Sequence, residues 1–115
     1  MSENNYFQLA EVRRLVSIAE NDSGDDQLIS EYGSKADRRI DNKLKKAEVS
    51  VPLTGSAITD DIRLAANYLT ASIYKAKKED YTSAKYWYDQ YKDTIDGITD
   101  GILNERGSPR VTEYF

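Results

Sequence analysis

Residues 58–78 repeat apolar side chains with the spacing of a helix. At about 100° per residue, one stripe collects Ile58, Ile62, Ala65, Ala66, Leu69, Ile73 and Ala76. A second stripe holds Leu64, Tyr68 and Ala71, and the plainly polar line is Asp60, Arg63, Asn67 and Thr70. A helix with two apolar faces needs cover from two sides, so this segment is predicted to be the central helix. Thr59 or Asp60 is expected to cap its start.

Three other segments each carry an apolar stripe and are predicted to be helices. They run from Gln8 to Glu20, from about Asp26 to Lys46 and from about Thr82 to Glu105. Their stripes are, in turn, Leu9, Val12, Val16 and Ala19; Ile29, Gly33, Ala36, Ile40, Leu44 and Ala47; and Ala84, Trp87, Tyr88, Tyr91, Ile95, Ile98 and Ile102. Tyr6 and Phe7 are expected to pack back on the core just before the first helix.

Turn-forming residues separate these segments. Residues 21–26, NDSGDD, favour a turn, and their acids are expected to cap the second helix. Residues 49–56, VSVPLTGS, break the chain at Pro52 and Gly55, and their Val and Leu side chains are expected to lie against the core. Residues 107–109, GSP, stop the last helix.

These elements predict an all-α protein. A chain of 115 residues is long enough for one core without covalent staples. We expect one helical domain, residues 1–106, folded as a small four-helix bundle. A flexible, extended C-terminal tail, residues 107–115, is expected to follow.

Charged residues form two faces of opposite sign, defined here as the basic face and the acidic face. The basic face lies on the second helix and comprises Lys35, Arg38, Arg39, Lys43, Lys45 and Lys46. The acidic face lies on the last helix and comprises Asp89, Asp93, Asp96 and Asp100, with Tyr86 pointing outward among them. The basic face fits three interpretations, which are plain solvation, contact with a partner subunit and contact with DNA. An exposed tyrosine is typical of an interface.

The composition argues against an enzyme or a metal protein. The absence of cysteine and histidine removes disulfides, thiolate chemistry and metal sites built on sulfur or imidazole. The acidic turn near residue 22 has no register with both the Gly and the Glu that a calcium-binding loop needs. Gly55 is followed by SAITDD and not by the GK[ST] of a phosphate-binding loop. We therefore expect no catalytic residue, no cofactor and no metal site.

Net charge and hydropathy limit the partners and the cellular location that the sequence predicts. A net charge of −4 argues against nucleic-acid binding over the whole surface but permits it at a local basic face. The first residues, MSENNYFQLAEV, lack the apolar run of a signal peptide, and no apolar window approaches the roughly 20 residues of a membrane span. The sequence is typical of a cytosolic, soluble protein without membrane contact.

Short motifs follow one another in a characteristic order. They are Tyr-x-x-Leu-x-x-Val (Tyr6, Leu9, Val12), an Asp-rich turn (Asp22 to Asp26), Ala-x-x-x-Ile-Asp-x-x-Leu (Ala36, Ile40, Asp41, Leu44) and a VPL linker (Val51 to Leu53). An alanine-rich helix and a tyrosine-rich last helix complete the series. Over residues 6 to 103, this order resembles the small head–tail connector proteins of tailed phages and tailed archaeal viruses, also called adaptor or head-completion proteins.

The resemblance implies a structural virion protein and not an enzyme. It implies a homo-oligomeric ring, of about twelve subunits, that lies under the portal protein and lines the genome channel. The further partners would be a tail-completion or tail-tube protein and genomic DNA that passes through without sequence-specific binding. The protein would be made in the host cytoplasm and located at the head–tail junction of the virion.

The tail and the basic face leave two further expectations. The tail carries Arg110, Val111, Tyr114 and Phe115, which are expected to bind the portal protein as an extended arm. The alternative function is a small cellular helical regulator or partner-binding module that contacts DNA through its basic face. A helix-turn-helix unit is disfavoured because the basic helix follows an acidic loop and precedes an eight-residue linker.

Overall fold

Four α-helices account for most of the described chain, residues 5–19 and 22–105 of a computed structural model. α1 is Leu9–Leu15, α2 is Asp26–Lys46, α3 is Asp60–Lys77 and α4 is Tyr81–Glu105; a 3-10 turn, Gly55–Ala57, precedes α3. The described ranges contain no β-strand. The predicted all-α four-helix fold is therefore confirmed, whereas the predicted tail lies outside the described residues.

α3 is the central helix, as its two apolar stripes predict. It contacts all three other helices and packs most extensively against α4. Ile62, Ala65, Ala66 and Leu69 are buried in the main core, and the small alanines let the neighbouring helices approach closely. The Thr59 side chain caps the helix by accepting a hydrogen bond from the Ile62 N–H at 3.3 Å.

The second half of the polar line of α3 is covered by protein, although its composition suggests a solvent-facing side, whereas Asp60 is exposed and Arg63 is half-buried. Asn67 and Thr70 are buried, and the exposed residue of the second stripe is Leu64, at 42%. The chain before α1 supplies polar partners, because Gln8 and Asn67 exchange two hydrogen bonds: Gln8 N–H to Asn67 Oδ1 at 2.7 Å, and Asn67 Nδ2 to Gln8 Oε1 at 3.1 Å. The Thr70 hydroxyl donates to the Ala66 carbonyl. Burial of Asn67 and Thr70 is possible because their polar groups form hydrogen bonds.

α2 begins and ends at the predicted residues, and its predicted apolar face is buried throughout. The Phe7 ring lies directly over Gly33, where an added Cβ would be 2.4 Å from the Phe7 Cγ. Gly33 is therefore required for the close approach of the N-terminal segment, defined here as residues 5–8. The linker also behaves as predicted, since Leu53 is buried and Val49 and Val51 pack against the core.

Two predicted helix ends differ from the structure. α1 ends at Leu15 and not at Glu20, because Ser17 has a left-handed φ of 64° and the Ile18 N–H donates to the Arg13 carbonyl. The acids before α2 do not cap it through their side chains. Asp25, the residue at the cap position, instead accepts a hydrogen bond from the Tyr74 hydroxyl of α3.

α4 packs on the core through most of its predicted stripe. Ala84, Tyr91 and Ile95 are buried, and Trp87, Ile98 and Ile102 are half-buried. Tyr88 departs from the prediction, because 38% of it is exposed. α4 makes its main contact with α3 and touches α2 over a small area. A groove thus remains between α2 and α4, and Tyr88 stands at its edge.

Candidate subunit interface

The basic face is solvent-exposed along the whole outer side of α2. The buried stripe of the helix turns the opposite side outward, and Lys35, Arg38, Arg39, Lys43, Lys45 and Lys46 are all exposed there. Lys35 lies over the Tyr32 ring, with its Nζ 5.8 Å from the ring centroid. Several cations on one side of one helix produce a local positive potential in a chain whose net charge is −4.

Two open grooves border the basic face. The wider one, about 510 Å³, lies between α2 and the linker and is lined by Lys35, Arg38, Lys45 and Pro52, among others. The second, about 250 Å³, lies between α2 and α4. Arg39, Lys43 and Lys46 of α2 and Lys92 of α4 line this second groove, together with Tyr88 and Tyr91. Burial raises the pKa of the Tyr91 hydroxyl, and the nearby Arg39 guanidinium opposes that rise.

The acidic face lies on the outer side of α4, but its four aspartates are not equivalent. Asp89, Asp93 and Asp100 are exposed, whereas Asp96 is half-buried. Asp96 pairs with Lys92 at 3.3 Å (Nζ–Oδ2) and with Lys43 of the basic face at 4.0 Å (Nζ–Oδ1). One aspartate of the acidic face is therefore engaged by the basic face of the same chain. Exposed pairs of this kind contribute little to stability, but they fix which aspartates remain available to a partner.

Asp89 and Asp93 differ in their engagement on the outer side of α4. Asp89 pairs with Lys85 one turn earlier, at 2.9 Å between Oδ2 and Nζ. Asp93 forms no ion pair with any other described residue. Asp93 is therefore the aspartate best suited to a cationic partner.

Tyr86 is 54% exposed and lies beside the acidic face, as predicted. Its ring meets Trp87 edge-on, with centroids 4.8 Å apart, and Trp87 stacks on Tyr68 of α3 at 5.6 Å. The Trp87 contact restricts the rings that it touches. A held, exposed aromatic ring provides contact area at low entropic cost, which suits an interface.

The sequence interpretation missed a hydrogen-bond network that holds the N-terminal segment on α2. The buried Tyr6 hydroxyl donates to Asp41 Oδ1 at 2.6 Å and accepts from the Leu53 N–H at 2.7 Å. Three separate motifs of the family resemblance, those containing Tyr6, Asp41 and Leu53, thus meet at one oxygen atom. The signal in the sequence was the tyrosine itself, because a buried tyrosine hydroxyl needs polar partners.

Asp37 extends this network. Its carboxylate accepts the Tyr6 N–H at 3.0 Å and the Phe7 N–H at 3.2 Å. Burial nevertheless raises the pKa of Asp37 to about 6, and the two backbone donors and the Arg63 guanidinium only partly offset it. The Tyr6 hydroxyl at the centre of the network is buried beneath the basic face, so the network fixes the position of α2, while Asp41 also lines the wider groove beside that face.

Arg110, Val111, Tyr114 and Phe115, predicted to bind the portal protein, lie outside the described residues. Within residues 5–19 and 22–105, no group of three or more Asp and Glu side chains is placed to hold a metal ion. No helix in those ranges is both long and apolar enough to cross a membrane.

Comparison with known proteins yields no relative. No family model, no curated protein and no solved structure matches the chain.

Proposed function

We propose that this protein is a structural virion subunit, a ring-forming head–tail adaptor that bridges the portal protein and the tail around the genome channel. The observation that carries the proposal is the presence of two exposed faces of opposite charge on different helices. The order of the six motifs supports the same class of protein. Among the described residues, neither face carries a group of three or more Asp and Glu side chains placed to hold a metal ion.

A ring requires that each subunit present two different surfaces to its neighbours. The basic face of α2 and the acidic face of α4 meet that requirement, because one is complementary in charge to the other. Arg38 and Asp93 are the most suitable pair, since both are exposed and neither forms an ion pair with a described residue. Tyr86, beside Asp93 on α4, would add apolar contact. Charges at the edge of such a contact orient subunits and speed their association more than they raise affinity.

A charge-swap experiment tests the contact. Arg38→Glu places like charges across the proposed interface and is expected to weaken ring assembly on the portal protein at moderate salt. Asp93→Arg reverses the charge on the opposing face, so a protein that carries both changes should assemble again. The readout is the fraction of portal rings that carry this protein, measured by sedimentation and electron microscopy.

Lys77→Glu is the matched control, because it makes the same change of charge at an exposed residue of α3, a helix that carries neither face, and Lys77 lines neither groove beside the basic face. It should leave assembly intact. Normal assembly of the Arg38→Glu protein, or failure of Asp93→Arg to rescue it, would contradict the proposed contact.

The runner-up function, a cellular module that contacts DNA, draws on the same basic face. That function predicts DNA binding by the isolated protein, with an affinity that falls steeply as salt rises. It also predicts no binding to a portal protein. Genes for a portal and a major capsid protein beside this gene would favour the adaptor, and a metabolic operon would favour the cellular module.

A further inference from the structure

Four cationic side chains converge on the groove between α2 and α4. They are Arg39, Lys43 and Lys46, at helical spacing along α2, and Lys92 of α4. Asp96 pairs with Lys43 and with Lys92 and so offsets part of this charge. Arg39 and Lys46 form no ion pair with any described residue. The groove therefore retains an excess of positive charge between two helices.

The floor of the groove carries a polar group without a partner. Tyr91 is 5% exposed and lines the groove, and its hydroxyl forms no hydrogen bond with any residue that the structure describes. Because buried polar groups are as a rule hydrogen-bonded, an unpaired hydroxyl at this depth indicates a place for a ligand atom. Burial raises the pKa of Tyr91, so the hydroxyl keeps its proton at neutral pH and can donate a hydrogen bond.

The lining groups favour a compact oxyanion with more than one negative charge. Lysine and arginine side chains supply donors and positive charge but no acceptor. The planar guanidinium of Arg39 matches the geometry of phosphate oxygens, and charge-assisted hydrogen bonds to such oxygens are stronger than neutral ones. The groove volume of about 250 Å³ suits a small group. Four cations against one aspartate match a phosphate group better than a single carboxylate.

We propose that the groove between α2 and α4 binds a phosphate group, which Arg39 and Lys46 neutralise and to which the Tyr91 hydroxyl donates a hydrogen bond. Tyr88 at the edge is 38% exposed, with its ring centroid 5.7 Å from that of Tyr91, and offers a surface on which a base can stack. The phosphate group therefore has two possible sources, the free ion and a nucleotide. All the lining residues belong to one subunit, so the proposal does not depend on ring assembly.

Titration of the full-length protein with inorganic phosphate tests the site. At constant ionic strength, balanced with chloride, the amide NMR signals of the groove residues should shift and saturate. Arg39→Gln, Lys46→Gln and Tyr91→Phe should each raise the Kd about tenfold, the value of one charge-assisted hydrogen bond. Tyr91→Phe should leave the Tm unchanged, because the lost hydroxyl has no partner in the described protein, and this separates loss of binding from loss of the fold.

Two matched variants serve as controls. Lys45→Gln removes the same charge as Lys46→Gln from the adjacent exposed residue, which lines the wider groove instead. Tyr81→Phe removes a hydroxyl from a residue that is 66% exposed. Both proteins should keep the Kd for phosphate. Equal weakening by Lys45→Gln and Lys46→Gln would indicate a general attraction to the basic face and would overturn the proposal.

Adenosine monophosphate distinguishes the two sources of the phosphate group. It should bind as tightly as inorganic phosphate if the free ion is the ligand. It should bind more tightly, with the gain lost in Tyr88→Leu, if the ligand is a nucleotide. Both results support the site. The absence of saturable shifts with either probe would overturn it, and so would binding of double-stranded DNA or of a phosphate-free acidic peptide without binding of phosphate.

Discussion

Removal of one oxygen atom, in Tyr6→Phe, tests the hydrogen-bond network beneath the basic face. The substitution keeps the aromatic ring, so the apolar packing of this buried side chain is retained. It removes the donor to Asp41 and the acceptor of the Leu53 N–H. The Leu53 N–H is then left in a buried position without its partner.

The cost follows from the unpaired groups. A buried donor that loses its partner costs about 1–3 kcal/mol, more than the net gain from an ordinary hydrogen bond. We expect the Tyr6→Phe protein to lose about 2 kcal/mol of unfolding free energy. For a domain near this size, about 4–8 °C per kcal/mol gives a fall in Tm of roughly 10 °C.

Urea unfolding at pH 7, followed by circular dichroism, measures this loss. Tyr81→Phe is the matched control, because Tyr81 is 66% exposed and the same oxygen is lost to solvent. The control should stay within about 0.5 kcal/mol of the unmodified protein. If Tyr6→Phe also stays within that range, the network does not hold the N-terminal segment and the reasoning is wrong.

Three further substitutions probe the core and the network. Leu69→Ala in α3 should cost roughly 2–5 kcal/mol, because Leu69 is fully buried, and an unchanged Tm would contradict its central position. Gly33→Ala should lose about 1–3 kcal/mol as its Cβ displaces the Phe7 ring, whereas Gly97→Ala, with no atom within 4 Å of the added Cβ, should gain about 1 kcal/mol; equal effects in the two proteins would refute the close contact. Because the pKa of Asp37 rises from 3.8 unfolded to about 6 folded, its protonation favours the folded state below pH 4, and this contribution is lost as pH rises through 6. The control is Asp37→Asn. Relative to this variant, the unmodified protein should lose unfolding free energy between pH 4 and pH 7, by at most about 3 kcal/mol before solvent screening, as measured by urea titrations. A difference between the two proteins that does not change with pH would contradict the raised pKa.

The sequence was sufficient for elements with strong periodicity. The bounds of α2 were predicted to the residue, and α3 was predicted as the centre because two apolar stripes need cover from two sides. Helix ends were harder where the terminating residue is unusual. Ser17, Glu48 and Glu79 adopt left-handed φ values of 64°, 65° and 63°. At the end of a helix this conformation is usually adopted by glycine. The end of α1 was missed because Ser17 carries no such signal.

Long-range polar pairing could not be predicted from periodicity. Asn67 and Thr70 look like a solvent-facing line on α3, and only the fold shows that Gln8 satisfies Asn67 from 59 residues away. The same limit applies to the charged faces. Their exposure followed from the helical wheel, but the pairing of Lys43 with Asp96 across α2 and α4 depends on how the two helices lie together.

The hydrogen-bond network beneath α2 gives the motif residues a structural role that differs from the partner role proposed for the charged faces. Tyr6, Asp41 and Leu53 belong to the motifs that resemble connector proteins, yet the Tyr6 hydroxyl that joins them is buried. These motifs therefore fix the N-terminal segment, α2 and the linker relative to one another. In the proposed ring, partner choice would depend on exposed residues such as Arg38 and Asp93, which are not among the named motif residues. A buried framework that is separate from the exposed charges allows those charges to change without loss of the fold, and so allows a change of partner.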